Sequence, residues 1–239
     1  MKYLDKTKWL EAFKHKNWYE LLADDYKTLE KQADSLSTDD RKKYKDELYR
    51  FIENNLENKQ ITLATTGPNL DEERQPVDTI VIHHTKNLPG MTWQRLSAMH
   101  LIRLYATYYN NPTYEPDKYF KGQAIWSNHF RGTEQVFYAY HWLVRNDGST
   151  ERLLQDDEIG WQAGNWEINT RSVAICIDND LSHTEPSTEV IKSIAQLIHD
   201  NYSQIDPQRI LGHGEVNPNT SCPGDKFIRV WKTKILELI

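Results

Sequence analysis

Residues 79–85 read TIVIHHT. Thr79, Ile80, Val81 and Ile82 are all β-branched, and the run stops at two histidines, which is the signature of a buried strand that delivers polar side chains at its end. Downstream, TWQRLSAMHLIRLYATYY (92–109) starts at Thr92, a good capping residue, and continues with helical spacing. Further strands are predicted at 137–144 and 172–178, separated by the turn NDGS and the irregular segment GWQAGNWEINT. In STEVIKSIAQLIHDNY, Val190, Ile191, Ile194, Leu197 and Ile198 form one stripe, and RVWKTKILELI closes the chain as another helix. Strands and helices alternate, so this part reads as an α/β or α+β domain. Between them, Asn110 to Arg131 is rich in Asn, Pro and aromatics without a sustained period, and reads as a long loop near the binding face.

Upstream the pattern changes. Trp18, Leu22, Tyr26 and Leu29 recur at helical steps, as do Tyr44, Leu48, Phe51 and Ile52 after the break SLSTDD, with another amphipathic turn around Trp9 and Phe13. Glycine, two prolines and a charge run in TTGPNLDEERQPVD (65–78) interrupt both periodicities. The predicted division is therefore a helical region over 1–64, a linker over 65–78 and a catalytic-sized domain over 79–239. On this division a chain starting near Gln75 is expected to fold alone. The helices serve either as a solvated extension packed through their aromatic stripe or as a contact to a wall or partner.

Composition excludes several classes. The 239 residues carry 29 Lys plus Arg against 35 Asp plus Glu, a formal charge of -6, which is not the footprint of a nucleic-acid binder. No apolar run is long enough to span a bilayer, and MKYLDKTKWLEAFKHKNWY lacks the apolar core of a signal peptide, so the chain is expected to be cytoplasmic as synthesised. Two cysteines, Cys176 and Cys222, allow at most one disulfide, and a thiolate or metal-ligand use for either is equally open.

Ligand chemistry is concentrated at HH (83–84), GHGE (212–215) and SCPG (221–224). Imidazole and thiolate together select zinc over magnesium or calcium, and His83, His213 and Cys222 would leave one tetrahedral position for water. Spacing alone also admits a strand-end histidine that is merely a polar cap. Neighbouring strand residues face opposite ways, so His83 and His84 do not share one ion while the strand stays regular.

Four blocks in order, VIHHT (81–85), AYHWLVRNDGS (139–149), RSVAICIDND (171–180) and LGHGEVNPNTSCPG (211–224), resemble the zinc-dependent N-acetylmuramoyl-L-alanine amidases related to T7 lysozyme and the peptidoglycan recognition proteins. The resemblance covers about residues 77–239. It implies a central mixed β-sheet flanked by helices, with the N-terminal helices as an extension. It also implies one zinc ion per chain on His83, His213 and Cys222, and cleavage of the amide between N-acetylmuramic acid and L-alanine of peptidoglycan or muropeptides. In that family Tyr140 would donate a hydrogen bond at the scissile carbonyl, while His141 serves the fold.

Departures from the family pattern are equally specific. Cys176 stands where some relatives carry glutamate, Gln162 where some carry histidine, and Thr220 where T7-like members carry lysine. The interval from His213 to Cys222 is one residue longer than the family pattern. Tyr140 and Thr220 are thus the catalytic candidates; Glu215, near His213, reads first as a packing or ligand-supporting residue and second as a proton donor to the leaving amine, and Cys176 reads as non-ligating. Trp126, Asn128, His129, Trp161, Asn165 and Trp166 offer stacking faces and amide hydrogen bonds for sugars and peptides. Arg131 and Arg171 offer cations for stem-peptide carboxylates, with a surface ion pair as the simpler use of each. A non-catalytic peptidoglycan-binding module is the alternative function, although such relatives typically lack a zinc ligand. The setting is either a lysin released during cell lysis or an enzyme that recycles wall fragments.

Overall fold

The computed structural model describes residues 4–67, 70–110, 122–127, 129–131 and 134–239. In chain order the elements are α1 (Lys6–Ala12), α2 (Trp18–Leu21), α3 (Ala23–Asp34), α4 (Thr38–Glu57), β1 (Thr79–His84), α5 (Trp93–Leu104), β2 (His129–Arg131) and β3 (Glu134–Val136). They continue with β4 (Trp142–Val144), β5 (Thr150–Arg152), α6 (Trp166–Arg171), β6 (Ser172–Ile177), α7 (Thr188–Tyr202), β7 (Ile210–Gly212), α8 (His213–Val216) and α9 (Lys232–Leu236). By contacts they fall into two units, one drawn from 1–69 and 92–137, the other from 70–91 and 138–239.

The second unit is built on a five-stranded sheet of order β5-β4-β6-β1-β7. β4, β6, β1 and β7 run parallel, and β5 returns antiparallel beside β4 after the turn at 146–149. The sheet is therefore mixed. β1 and β6 are buried along their whole length, and accordingly Ile80, Val81 and Ile82 of β1 and residues 173–177 of β6 are apolar without alternation. Ile80 and Ile82 of β1 join Val173, Ile175 and Ile177 of β6 in a core with Val190, Ile191, Ile194, Leu197 and Ile198 of α7. Ser187 caps α7 by accepting a hydrogen bond from the Val190 amide at 3.3 Å. Period-2 alternation then sends His84 to the α7 face and His83 to the other.

Residues 70–78 behave differently from the expected linker. Arg74 donates to the carbonyls of Asp156, Asn169 and Ser172, and the Gln75 and Asp78 amides donate to Thr170 and Arg171 carbonyls at 2.8 and 3.1 Å. Five tertiary hydrogen bonds in so short a stretch make it part of the sheet unit. The strand expected over 137–144 is regular only from Trp142, and Phe137 and Tyr138 belong to different units.

In the first unit the predicted aromatic stripe is the core. Trp9, Phe13, Trp18, Leu22 and Ile52 are wholly buried, each contributing roughly 1.5–3 kcal/mol of apolar burial. Phe13 and Trp18 meet edge to face at 5.1 Å between centroids, and Tyr26 meets Tyr105 at 4.6 Å. Thr92 caps α5 as expected, accepting from the Arg95 amide at 3.1 Å. Ala98, Leu101, Ile102 and Tyr105 of that helical stretch belong to this aromatic core, and Arg95 pairs with Glu53 at 2.6 Å and with Asp46. The helix after β1 is thus not a helix of the sheet unit, which the linear division 1–64, 65–78 and 79–239 does not anticipate. Part of the expected loop at 110–131 forms β2, which pairs antiparallel with β3. Among the described residues, no helix is long and apolar enough to cross a membrane.

Candidate metal centre

Two parallel strands deliver the histidines at their C-terminal ends. His83 is the fifth residue of β1, and β7 ends at Gly212 immediately before His213, which opens α8. The loop after α8 folds back so that the Gly214 amide donates to the Cys222 carbonyl at 2.6 Å. A side chain at residue 214 would place its Cβ 2.8 Å from the Thr220 carbonyl oxygen, so this return requires glycine. His83, His213 and Cys222 consequently present one ligand atom each within 4.8 Å of one another. Nδ1 of His83 lies 3.7 Å from Sγ of Cys222, and the His83 and His213 rings are 4.6 Å apart between centroids. Burial pushes the Cys222 thiol up to about 11, against opposing pulls from the His84 amide and Lys86. A bound cation would reverse that balance by favouring the thiolate.

The neighbouring histidines are occupied elsewhere. Nδ1 of His84 accepts from the Leu181 amide at 2.9 Å, and burial lowers its pKa to about 4, so it stays neutral on the α7 face. His141 is fully buried; its Nδ1 accepts from the Ala174 amide and its Nε2 bonds the Glu158 carbonyl, both at 3.0 Å. Glu215 accepts from the Gly212 amide at 2.7 Å and pairs with Lys232 at 2.9 Å, which braces the turn that carries His213. It is a clamp for the backbone.

Tyr140 stands beside the cluster, its ring centroid 5.2 Å from that of His83. Its hydroxyl bonds the thiol of Cys176, which faces the same side as His83 because the two are register partners on β6 and β1. Burial raises the Cys176 thiol well above its usual range, as do Cys222 and Asp178, and the thiol is not in the ligand cluster. Thr220 accepts from the Cys222 amide at 3.2 Å and so shapes the ligand loop. Gln162, marked in the sequence only as a departure from the family pattern, is buried with Oε1 2.5 Å from His83 Nε2. Nothing in its spacing announces that contact, which joins positions 79 residues apart.

The N-acetylmuramoyl-L-alanine amidase family matches residues 73–225, most of the chain, and the match includes His83, His213 and Cys222. The chain belongs to that family. It is an amidase-type hydrolase acting on peptidoglycan. The N-acetylmuramoyl-L-alanine amidase LysC from Clostridium intestinale URNW is similar in structure, with 19% identity and a TM-score of 0.50 over 74% of this chain and 93% of that one. The endolysine N-acetylmuramoyl-L-alanine amidase LysCS from the same organism gives 18%, 0.47, 74% and 91%, and the Ph2119 endolysin from Thermus scotoductus MAT2119 bacteriophage Ph2119 gives 18%, 0.46, 74% and 88%. No curated protein sequence matches the chain.

The remaining candidate contacts of the amidase separate by unit. Trp161, Asn165 and Trp166 flank Gln162 in the sheet unit; the two indoles lie 5.0 Å apart, and Trp166 donates to Glu73 at 3.0 Å. Asn165 caps α6 through the Ile168 amide at 3.3 Å, so its side-chain oxygen has a structural task. Arg171 is committed to Asp78, with Glu167 at 3.8 Å, which fulfils the simpler of its two predicted uses. Trp126 and His129 belong to the helical unit, where Trp126 packs its indole on Gly67. His129 is buried at 3% exposure rather than presented on a surface, because pairing of β2 with β3 turns it inward. Asn128 and the side chain of Arg131 lie outside the described residues.

Proposed function

We propose that the amidase holds one zinc ion on His83, His213 and Cys222 and hydrolyses the amide between the lactyl group of N-acetylmuramic acid and L-alanine. The observation that carries this reading is the convergence of two imidazoles and a thiol, from three distant stretches of sequence, within 4.8 Å. Nitrogen and sulfur donors at about 2.1 and 2.3 Å in a tetrahedron stand roughly 3.6 Å apart. The 3.7 Å between His83 Nδ1 and Cys222 Sγ fits that requirement. When bound, zinc supplies Lewis-acid polarisation of the carbonyl and water whose pKa is lowered toward about 7.

The chain's own residues supply position and hydrogen bonds. Tyr140 donates its hydroxyl proton as a hydrogen bond to the carbonyl oxygen while negative charge grows there, exchanging its Cys176 partner for the substrate. Thr220 holds the Cys222 amide and thereby the reach of the thiolate. The ligand cluster contains no carboxylate, and Glu215 is committed to Gly212 and Lys232. Among the described residues neither the cluster nor Glu215 offers a free carboxylate for the departing L-alanine amine, and solvent water is a source for that proton. Trp161 and Trp166, close in sequence to Gln162 and 5.0 Å apart between rings, are the indoles we assign to contact with the sugar or stem peptide.

Mass analysis of products from sacculi and from soluble muropeptides tests this reading. Release of stem peptide with a free L-alanine amine, abolished by chelation and restored by zinc, is the expected result. Cleavage at another bond, or tight glycan binding without any cleavage, would overturn it.

A further inference from the structure

The geometry points to Gln162 as the positioning residue that sets which nitrogen of His83 faces the metal. This rests on the zinc reading above. His83 is 1% exposed and has two ring nitrogens with different neighbours: Nδ1 faces Cys222 Sγ at 3.7 Å, and Nε2 faces Gln162 Oε1 at 2.5 Å. An amide oxygen only accepts, so this contact requires the proton on Nε2 and leaves the lone pair on Nδ1, the nitrogen that points into the ligand cluster.

The amide has two orientations, and only one of them serves. With Nε2 of Gln162 turned toward the ring, His83 would have to accept there, and its proton would move to Nδ1, where it blocks ligation. The observed orientation puts Gln162 Nε2 on Ser172 Oγ at 2.8 Å, inside a region that excludes water as an alternative partner. The backbone of Gln162 is held as well. Its amide lies 3.2 Å from Asn169 Oδ1 and 2.9 Å from the Gly160 carbonyl, and the Ala163 amide donates to the same Asn169 oxygen at 2.8 Å. Gln162, Asn169 and Ser172 are all buried, so the chain Asn169, Gln162, His83 is a hydrogen-bonded path from α6, through the loop before it, to His83. A partner of this kind on the second nitrogen of a ligating histidine usually changes metal affinity by about 10- to 100-fold when removed.

The test compares zinc affinity, by competition with a chromophoric chelator, for the full chain, Gln162→Leu and Gln162→Glu. The leucine fills the space without an acceptor, whereas the glutamate keeps one. Gln162→Leu is expected to weaken zinc binding at least tenfold, and Gln162→Glu to stay within a few-fold of the parent. Long-range nitrogen–proton NMR of the metal-free parent should show His83 with its proton on Nε2, and this single tautomer should be lost in Gln162→Leu. Should Gln162→Leu fail to fold, Ser172→Ala, which removes the other hydrogen-bond partner of the Gln162 amide, is read by the same two measurements with the same expectation. A parent that binds no zinc overturns the metal reading and this inference with it. A parent that binds zinc while Gln162→Leu, or Ser172→Ala in its place, binds equally well with unchanged tautomer overturns this inference alone.

Discussion

Sγ of Cys222 lies 3.7 Å from Nδ1 of His83, across 139 residues of sequence, while Cys176, directly opposite His83 on the adjacent strand, bonds Tyr140 instead. The two thiols therefore have different work. Replacing Cys222 with Ser should weaken zinc binding by about tenfold or more, because a hydroxyl is a far poorer donor than a thiolate. Cys176→Ser should keep the metal. Metal content after dialysis against a weak chelator checks both, and equal zinc in the two variants would refute the ligand assignment.

Tyr140→Phe separates chemistry from metal binding. The variant loses one hydroxyl that touches Cys176 but no ligand, so its zinc content and melting temperature should stay close to the parent's. Loss of a donor at a developing oxyanion costs about 3 kcal/mol at most sites, so kcat should fall by about tenfold to several hundredfold with little change in KM. Full turnover with zinc retained would leave Tyr140 as a structural residue.

Asp78 ties the start of β1 to two arginines, Arg171 and Arg209, the latter at 2.8 Å. Burial acts to raise its carboxyl pKa, but hydrogen bonds from Arg171, Thr79 and Arg209 outweigh it and the net shift is downward. A depressed folded-state pKa means the carboxylate contributes stability above its unfolded pKa of about 3.9, and that contribution is lost as pH falls through the lower folded value. Asp78→Asn should therefore cost about 1 kcal/mol near neutral pH, after allowance for partial solvent screening, and the difference from the parent should shrink in acid. Urea denaturation at neutral pH and at about pH 3 measures it; a penalty that grows in acid would contradict the sign.

Removing residues 1–74 should not yield a well-behaved domain, contrary to the expectation from the linear sequence. Leu101, Ile102, Tyr105 and Phe137 would lose the Trp18, Leu22 and Tyr26 side that completes their core, and Arg74 would go with its three carbonyl contacts. Exposure of so large an apolar surface predicts aggregation or a loosely packed state. Sedimentation and near-ultraviolet circular dichroism are the checks. A monomeric, cooperatively melting fragment would show that α5 holds its place without the aromatic helices.

Much of the site was legible in the chain itself. Two histidines and a cysteine are the residue types that bind a borderline cation, β-branched residues 79–82 make a strand, and strand alternation alone forces His83 and His84 apart. These are local properties, set by side-chain chemistry and backbone period. The N-terminal aromatic stripe was legible for the same reason: Trp18, Leu22, Tyr26 and Leu29 recur at helical steps of three or four residues, and all four are in the core.

Tertiary structure decided what periodicity does not encode, namely which surface each stripe meets. The stripe of α5 is equally suited to a sheet or to a helical bundle, and the aromatic helices claim it; the charge run in 65–78 looks like a linker until Arg74 finds three carbonyls of the sheet unit. Gln162 is the sharpest case. A glutamine in a loop carries no local sign of its partner, because a side-chain amide bonds any donor or acceptor within reach. Only the folded path that brings residue 162 within 2.5 Å of His83, and buries both away from water, gives that amide a task.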